Sequence, residues 1–346
     1  MSFLDKQDWT KESLLRYVGH MDQIAGIKLV EDGDGKGRGS RILQVWTGTG
    51  LCFHVLADRG LDISTCRYKG NSLAWNSSVG EVHPAHYEPR GLGWLRSFQG
   101  GLFVTCGLDQ YGFPAVDGDE EVGLHGRASN LPARFVNYRT QWVDGAYELE
   151  ITGETRQTRV HGENLALRRH ISTQMGSNKI VIEDEVTNEG FAPHPHMILY
   201  HFNLGFPLLS EASELDVRAE QTIARDAQAE TGIAEWQNLQ PPTSGYREQV
   251  FRHVPAADGD GHVQVTLRNR ALGLGLQITY DRNALPYLYQ WKMMGEGTYV
   301  LGIEPGNCGT LGGRVQARAE DESGLVYLAP GESRRYKIGV EVVETS

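Results

Sequence analysis

Residues 336–342 read Tyr-Lys-Ile-Gly-Val-Glu-Val. In an extended chain this puts Tyr336, Ile338, Val340 and Val342 on one face and Lys337, Gly339 and Glu341 on the other. A helix would scatter the same residues around its axis, so the stretch reads as a half-buried β-strand. The pattern recurs upstream, with Tyr147, Leu149 and Ile151 sharing one face and Ile180, Ile182 and Val186 another. Turn signals separate such runs: Asp32-Gly33-Asp34-Gly35, Asp117-Gly118-Asp119, Asp144-Gly145 and Asp258-Gly259-Asp260-Gly261. The 42 glycines and 13 prolines are spread along the 346 residues rather than massed in one tract, which describes many short elements. The one clear helix is near the N-terminus, where Thr10 can cap a segment carrying Glu12, Leu14, Leu15 and Val18. A weaker helix or loop runs from Asp226 to Trp236. With no solenoid or propeller period, the expected fold class is all-β, a large antiparallel assembly of two packed sheets with a short N-terminal helix.

The formal charge of −11 argues against a nucleic-acid partner, which would need a concentrated Lys/Arg surface. No apolar run reaches the roughly 18–20 residues needed to span a bilayer, and Met1 to Arg16, with Asp5, Lys6, Asp8 and Lys11, lacks the apolar core of a signal peptide. Cys52, Cys66, Cys106 and Cys308 are scattered, without a Cys-x-x-Cys pair. A reduced cytoplasmic setting is therefore expected.

Three histidine-bearing or acidic segments carry possible chemistry. In Gly123-Leu124-His125-Gly126-Arg127 the flanking glycines let backbone and imidazole approach a ligand closely, although an ordinary surface turn reads the same way. In Pro193–Pro207 strand alternation sends His196, Ile198 and Tyr200 to one side and Met197, Leu199 and His201 to the other. His201 thus sits in a nearly apolar strand, as a site residue or as a hydrogen-bonded core histidine. In Tyr299–Asn307 a lone carboxylate, Glu304, ends an apolar strand just before Pro305 and Gly306. Partial desolvation there would raise its pKa toward useful base strength, while a structural salt bridge would look similar. His194 and His196 form a His-x-His pair, but the next acidic residue is Glu211, too distant for a cupin-like metal site. A metal site therefore ranks below a metal-free one. Gly100-Gly101, Gly273-Leu274-Gly275 and Gly312-Gly313 lack the grammar of a phosphate loop, and there is no Gly-x-Ser-x-Gly elbow. Trp75, Trp94, Trp291 and Tyr289 lie beside Asn76, Arg96, Gln290 and Lys292, a mixture suited to stacking on sugar C–H faces, or else simply to filling a wide core.

Taken in order, four segments resemble the galactose mutarotase-like superfamily of aldose 1-epimerases: Leu124-His125-Gly126, Thr187-Asn188-Glu189-Gly190, Phe202-Asn203-Leu204 and Gly302-Ile303-Glu304-Pro305. Ala57-Asp58-Arg59-Gly60-Leu61-Asp62-Ile63, Gly100 to Leu108 and Gln290-Trp291-Lys292 resemble a divergent branch known only as a domain of unknown function. The resemblance implies a β-supersandwich over residues 26–346, preceded by an N-terminal helical extension at 1–25, and a metal-free, cofactor-free isomerase that opens and recloses a sugar ring. It implies Glu304 as base and a histidine as acid. The family pattern sets that histidine three residues before the Phe, where Leu199 stands here, so the role passes to His201, with His196 as the alternative. His125, Arg127, Arg96, His196, Asn203, Gln290 and Trp291 are the implied substrate contacts. A non-catalytic sugar-binding protein and a carbohydrate isomerase or lyase are the competing readings. The expected partner is a small carbohydrate, with neither nucleic acid nor membrane. The oligomeric state is left open, a homodimer being one option.

Overall fold

The computed structural model describes residue 4 and residues 9–345. Residues 1–3 and 5–8 of the charged N-terminal stretch, and Ser346, lie outside the described residues. The first strand begins at Gly26. Ahead of it, Thr10 and Ser13 form a reciprocal capping box for the short helix Lys11–Leu15. Val18, expected within that helix, falls beyond its end, yet it and Leu14 both enter the main core.

The rest is overwhelmingly antiparallel β-structure in two large sheets. The larger runs from Gly26–Glu31 through Arg41–Trp46, Leu51–Leu56, Asp62–Tyr68 and Phe103–Leu108 to the central strand His194–Gly205. It continues through Thr298–Gly306, Tyr287–Gly295 and Gln249–Pro255 to Ala219–Ala224. The smaller, eight-stranded sheet runs Arg134–Val143, Ala146–Thr158, Asn164–Gln174, Lys179–Asn188, Ser333–Glu344, Leu274–Asp281, His262–Asn269 and Ser213–Val217. The stretch 336–342 lies in the middle of it, with Tyr336, Ile338, Val340 and Val342 buried. The Asp144-Gly145 turn links its first two strands, and both residues have positive φ, 48° and 86°, as a two-residue hairpin requires.

One apolar cluster holds the sheets face to face: Ile151, Leu167 and Ile338 of the smaller meet Phe103, Phe202 and Ile303 of the larger. Alternation along the central strand then decides everything about the site. Ile198, Tyr200, Phe202 and Leu204 enter the inter-sheet core, while Met197 and Leu199 belong to a second cluster with Trp94, Phe98, Leu124 and Tyr289 on the opposite face. That face is roofed by loops. Arg59, from the Ala57–Ile63 motif, is fully buried and donates to the carbonyls of Ser129 (2.8 Å), Val82 (3.1 Å) and Ser97 (2.8 Å), pinning the loops that form the roof. No helix among the described residues is long and apolar enough to cross a membrane. The four cysteines are free thiols.

Candidate functional site

The central strand pairs with Thr298–Gly306 antiparallel, with Leu199 opposite Gly306 and Phe202 opposite Ile303. His201 therefore falls directly across from Glu304, on the face turned away from the inter-sheet core. Nε2 of His201 stands 3.2 Å from Oε1 of Glu304, and both side chains are almost fully buried. The two form part of the wall of a cavity of about 450 Å³, a sugar-sized space. Three rings box the imidazole: Phe98 at 5.4 Å, His125 at 5.6 Å and Trp291 at 5.6 Å between centroids. Trp75 packs edge-on to Trp291 at 6.0 Å.

Burial dominates the electrostatics. It pushes the Glu304 carboxyl up to about 8; the nearby Glu248 carboxylate adds to the rise and Arg225 opposes it. Burial also holds His201 well below the ordinary histidine range, with His125 contributing further, and it lowers His125 to about 4. Near neutrality the pair is thus a carboxylic acid beside a neutral imidazole, sharing one transferable proton. Apart from its 3.2 Å contact with His201 Nε2, Oε1 of Glu304 has no polar partner in the protein, and Nδ1 of His201 is buried without one.

His125 reaches the cavity through an unusual backbone. Its φ is +57°, and its segment is laced to 107–112 by Gly107 N–H to His125 O (3.1 Å) and His125 N–H to Gly112 O (2.9 Å). A Cβ on Gly126 would come within 2.5 Å of the Gln110 and Gly107 carbonyl oxygens, so the glycine is there for close approach. Nδ1 of His125 accepts from the Gly112 N–H at 3.4 Å, which leaves the proton on Nε2.

The remaining expected contacts do not reach the cavity. His196 faces the other way, its Nδ1 donating to the Leu108 carbonyl (2.8 Å) and its Nε2 accepting from the Tyr336 hydroxyl (2.7 Å); it is a satisfied core histidine. Asn203 is buried and does not line the cavity; its Nδ2 donates to the His201 carbonyl (2.9 Å), while its Oδ1 has no partner in the protein. Gln290 lies on the strand face opposite Trp291, donating to the Trp236 carbonyl (2.8 Å) and meeting His253 Nε2 at 3.0 Å. Lys292, on that same side, donates to the Glu235 carbonyl. The Gln-Trp-Lys motif thus presents Trp291 to the cavity while its neighbours fasten a loop behind it. Arg96 is 73% exposed and pairs with Glu88, and Arg127 lies 3.6 Å from Glu120; both are held outside. His201 and Glu304 are thus neighbours on one wall of the cavity.

Two residues that no sequence motif singles out, Arg225 and Glu248, line the cavity. Glu248 accepts from the Trp291 indole N–H (2.8 Å) and from Arg225 (3.1 Å). They stand at the two ends of the loop that Gln290 and Lys292 fasten, so only the folded chain brings them together. Among the described residues, no group of three or more His, Cys, Asp or Glu side chains is arranged to hold a metal ion.

A family model described as a domain of unknown function, DUF4432, matches residues 37–342. The chain belongs to this family. Its fold is that of the galactose mutarotase-like proteins. The crystal structure of a candidate aldose 1-epimerase from Klebsiella pneumoniae superposes with a TM-score of 0.86 at 27% identity, over 96% of this chain and 90% of that one. A galactose mutarotase-like protein from Clostridium acetobutylicum (TM-score 0.68, 12% identity, 93% of this chain and 100% of that one) and a galactose 1-epimerase from Lactobacillus acidophilus (0.60, 12%, 93% and 100%) share the fold. No curated protein matches the chain. The DUF4432 match begins at Gly37, past the short helix and the first strand.

Proposed function

We propose that this DUF4432 protein is an aldose 1-epimerase-like enzyme, interconverting the anomers of a sugar by metal-free acid/base ring opening and closure. The observation that carries the reading is the His201–Glu304 contact in the wall of a sugar-sized cavity. Ring opening removes a proton from the anomeric hydroxyl and delivers one to the ring oxygen. Both oxygens are bonded to the same carbon, so an acid and a base side by side can reach them together. Glu304 takes the hydroxyl proton and His201 protonates the ring oxygen. Rotation about C1–C2 presents the other carbonyl face, and reversed roles close the ring. The proton that the neutral pair holds on Glu304 is the one His201 delivers, passed across their 3.2 Å contact. Trp291 offers a stacking face and His125 a donor to a hydroxyl.

Anomer-exchange NMR over a panel of neutral and acidic sugars tests this directly. Saturable binding without faster exchange would instead indicate a binding protein, and a new product an isomerase or lyase. A pH profile is a second check. The pair needs one proton, so exchange above the solvent background should fall as pH rises past about 8, where Glu304 loses it. On the acid side it should fall only below the ordinary histidine range, because burial delays arrival of a second proton on His201. A rate that keeps climbing through pH 9 after background subtraction would argue against the shared-proton pair.

A further inference from the structure

The charges and the rim of the same cavity narrow its substrate class. Among the described residues lining it, Arg225 is the one Lys or Arg, and that guanidinium is already matched by Asp226 at 2.7 Å and Glu248 at 3.1 Å. Two carboxylates against one cation, with both histidines neutral, leave the mouth with no surplus positive charge for a phosphate, carboxylate or sulfonate. The rim also carries exposed apolar side chains beside Ser78 and Glu248. Leu92, Leu95 and Phe113 line the cavity and are 58%, 47% and 47% exposed. Large apolar side chains gathered in the open at a cavity mouth mark a surface that a ligand covers. Phe113 also lies 5.3 Å from the Arg225 guanidinium, so an apolar face of the mouth abuts the neutralised cation.

We infer that the cavity takes a neutral sugar bearing an apolar group, such as a deoxy or O-alkylated sugar with a free anomeric hydroxyl, and rejects phosphorylated and acidic sugars. The inference rests on the proposed reading for the placement of the anomeric carbon at His201 and Glu304. The reacting end then meets the polar pair, and the far end of the ring meets Leu92, Leu95 and Phe113.

Titration calorimetry on the full chain tests it without relying on turnover. The probes are matched sets in the galacto, gluco and manno series: the parent hexose, its 6-deoxy form, its uronic acid and its 6-phosphate. In the series that binds, the 6-deoxy sugar should bind about fourfold or more tighter than the parent, the effect of burying one methyl-sized group. The two anions should bind at least about tenfold more weakly, through like-charge repulsion. Leu95→Asn should erase the deoxy preference, and Glu248→Gln should narrow the penalty on the anions. Equal or tighter binding of an anion, no gain for the deoxy sugar, or no binding in any series would overturn the inference. Anomer exchange measured on the same sugars separates the two claims. Binding in the stated order without exchange sinks the proposed activity alone, and exchange without discrimination sinks the substrate class alone.

Discussion

Glu304→Gln is expected to slow anomer exchange by roughly 10²–10⁴-fold, the contribution of one positioned acid/base group, while leaving the fold and sugar binding intact. The amide matches the carboxyl in shape and cannot exchange a proton with substrate. It places no new charge in a site where the native carboxyl is already mostly neutral, with burial holding it up at about 8. This predicts a stability effect of known sign. Unfolded, the carboxyl titrates near 4.5; folded, near 8. Between those values the folded state keeps a proton that the unfolded state releases, so wild-type stability declines as pH rises through that window and levels off above it. Glutamine has no such dependence. Denaturant midpoints should therefore coincide for the two proteins near pH 4, and the variant should gain on wild type up to pH 9. The gain is a few kcal/mol at most, because each tenfold difference in proton affinity between the folded and unfolded states is worth about 1.4 kcal/mol. Undiminished exchange on the right sugar removes Glu304 from the chemistry; a pH-independent gap between the midpoints removes the buried neutral carboxyl.

Much of the fold was legible because strand alternation is a local signal: Tyr336 to Val342 and Tyr147 to Ile151 announce their buried faces without reference to anything distant. Alternation also divides His196 from His201 correctly, but it cannot say which of the two faces meets a cavity. That depends on the register that sets Phe202 against Ile303 and hence His201 against Glu304, a fact of pairing between segments about a hundred residues apart. The same limit explains the misreading of Gln290, whose polar character beside Trp291 suggested a ligand contact although adjacent strand residues point to opposite sides. Arg225 and Glu248 were invisible because a loop unites them. The helix Gly313–Ala319 escaped notice because Gly312 supplies no side-chain cap. Tertiary ion pairs from Arg314 to Asp109, Asp117 and Glu120 hold its first turn instead.

Behind the site lies the feature on which stability should depend most. Arg169, in the smaller sheet, is fully buried between two carboxylates. Its guanidinium donates to Asp184 of the adjacent strand (2.8 and 2.6 Å) and, across the inter-sheet core, to Asp62 (2.9 Å) and the Thr105 hydroxyl (2.9 Å) of the larger sheet and to the Gly60 carbonyl (2.9 Å) in the turn before Asp62. Tyr200, the residue before His201, donates to the same Asp184 at 2.6 Å. Arg169→Met keeps the bulk but strands two carboxylates in a dry core, a loss of about 3–5 kcal/mol out of a total stability of roughly 5–15 kcal/mol. The urea midpoint should drop accordingly. Adding Asp62→Asn and Asp184→Asn should recover part of the loss, because no uncompensated charge then remains; a merely volumetric defect would not respond to those changes. An unaltered midpoint for Arg169→Met would mean that the sheets are held by apolar packing alone. Because Tyr200 hangs from this network, the folded fraction of the single variant should also exchange anomers more slowly than wild type, and the triple variant should regain rate and stability together.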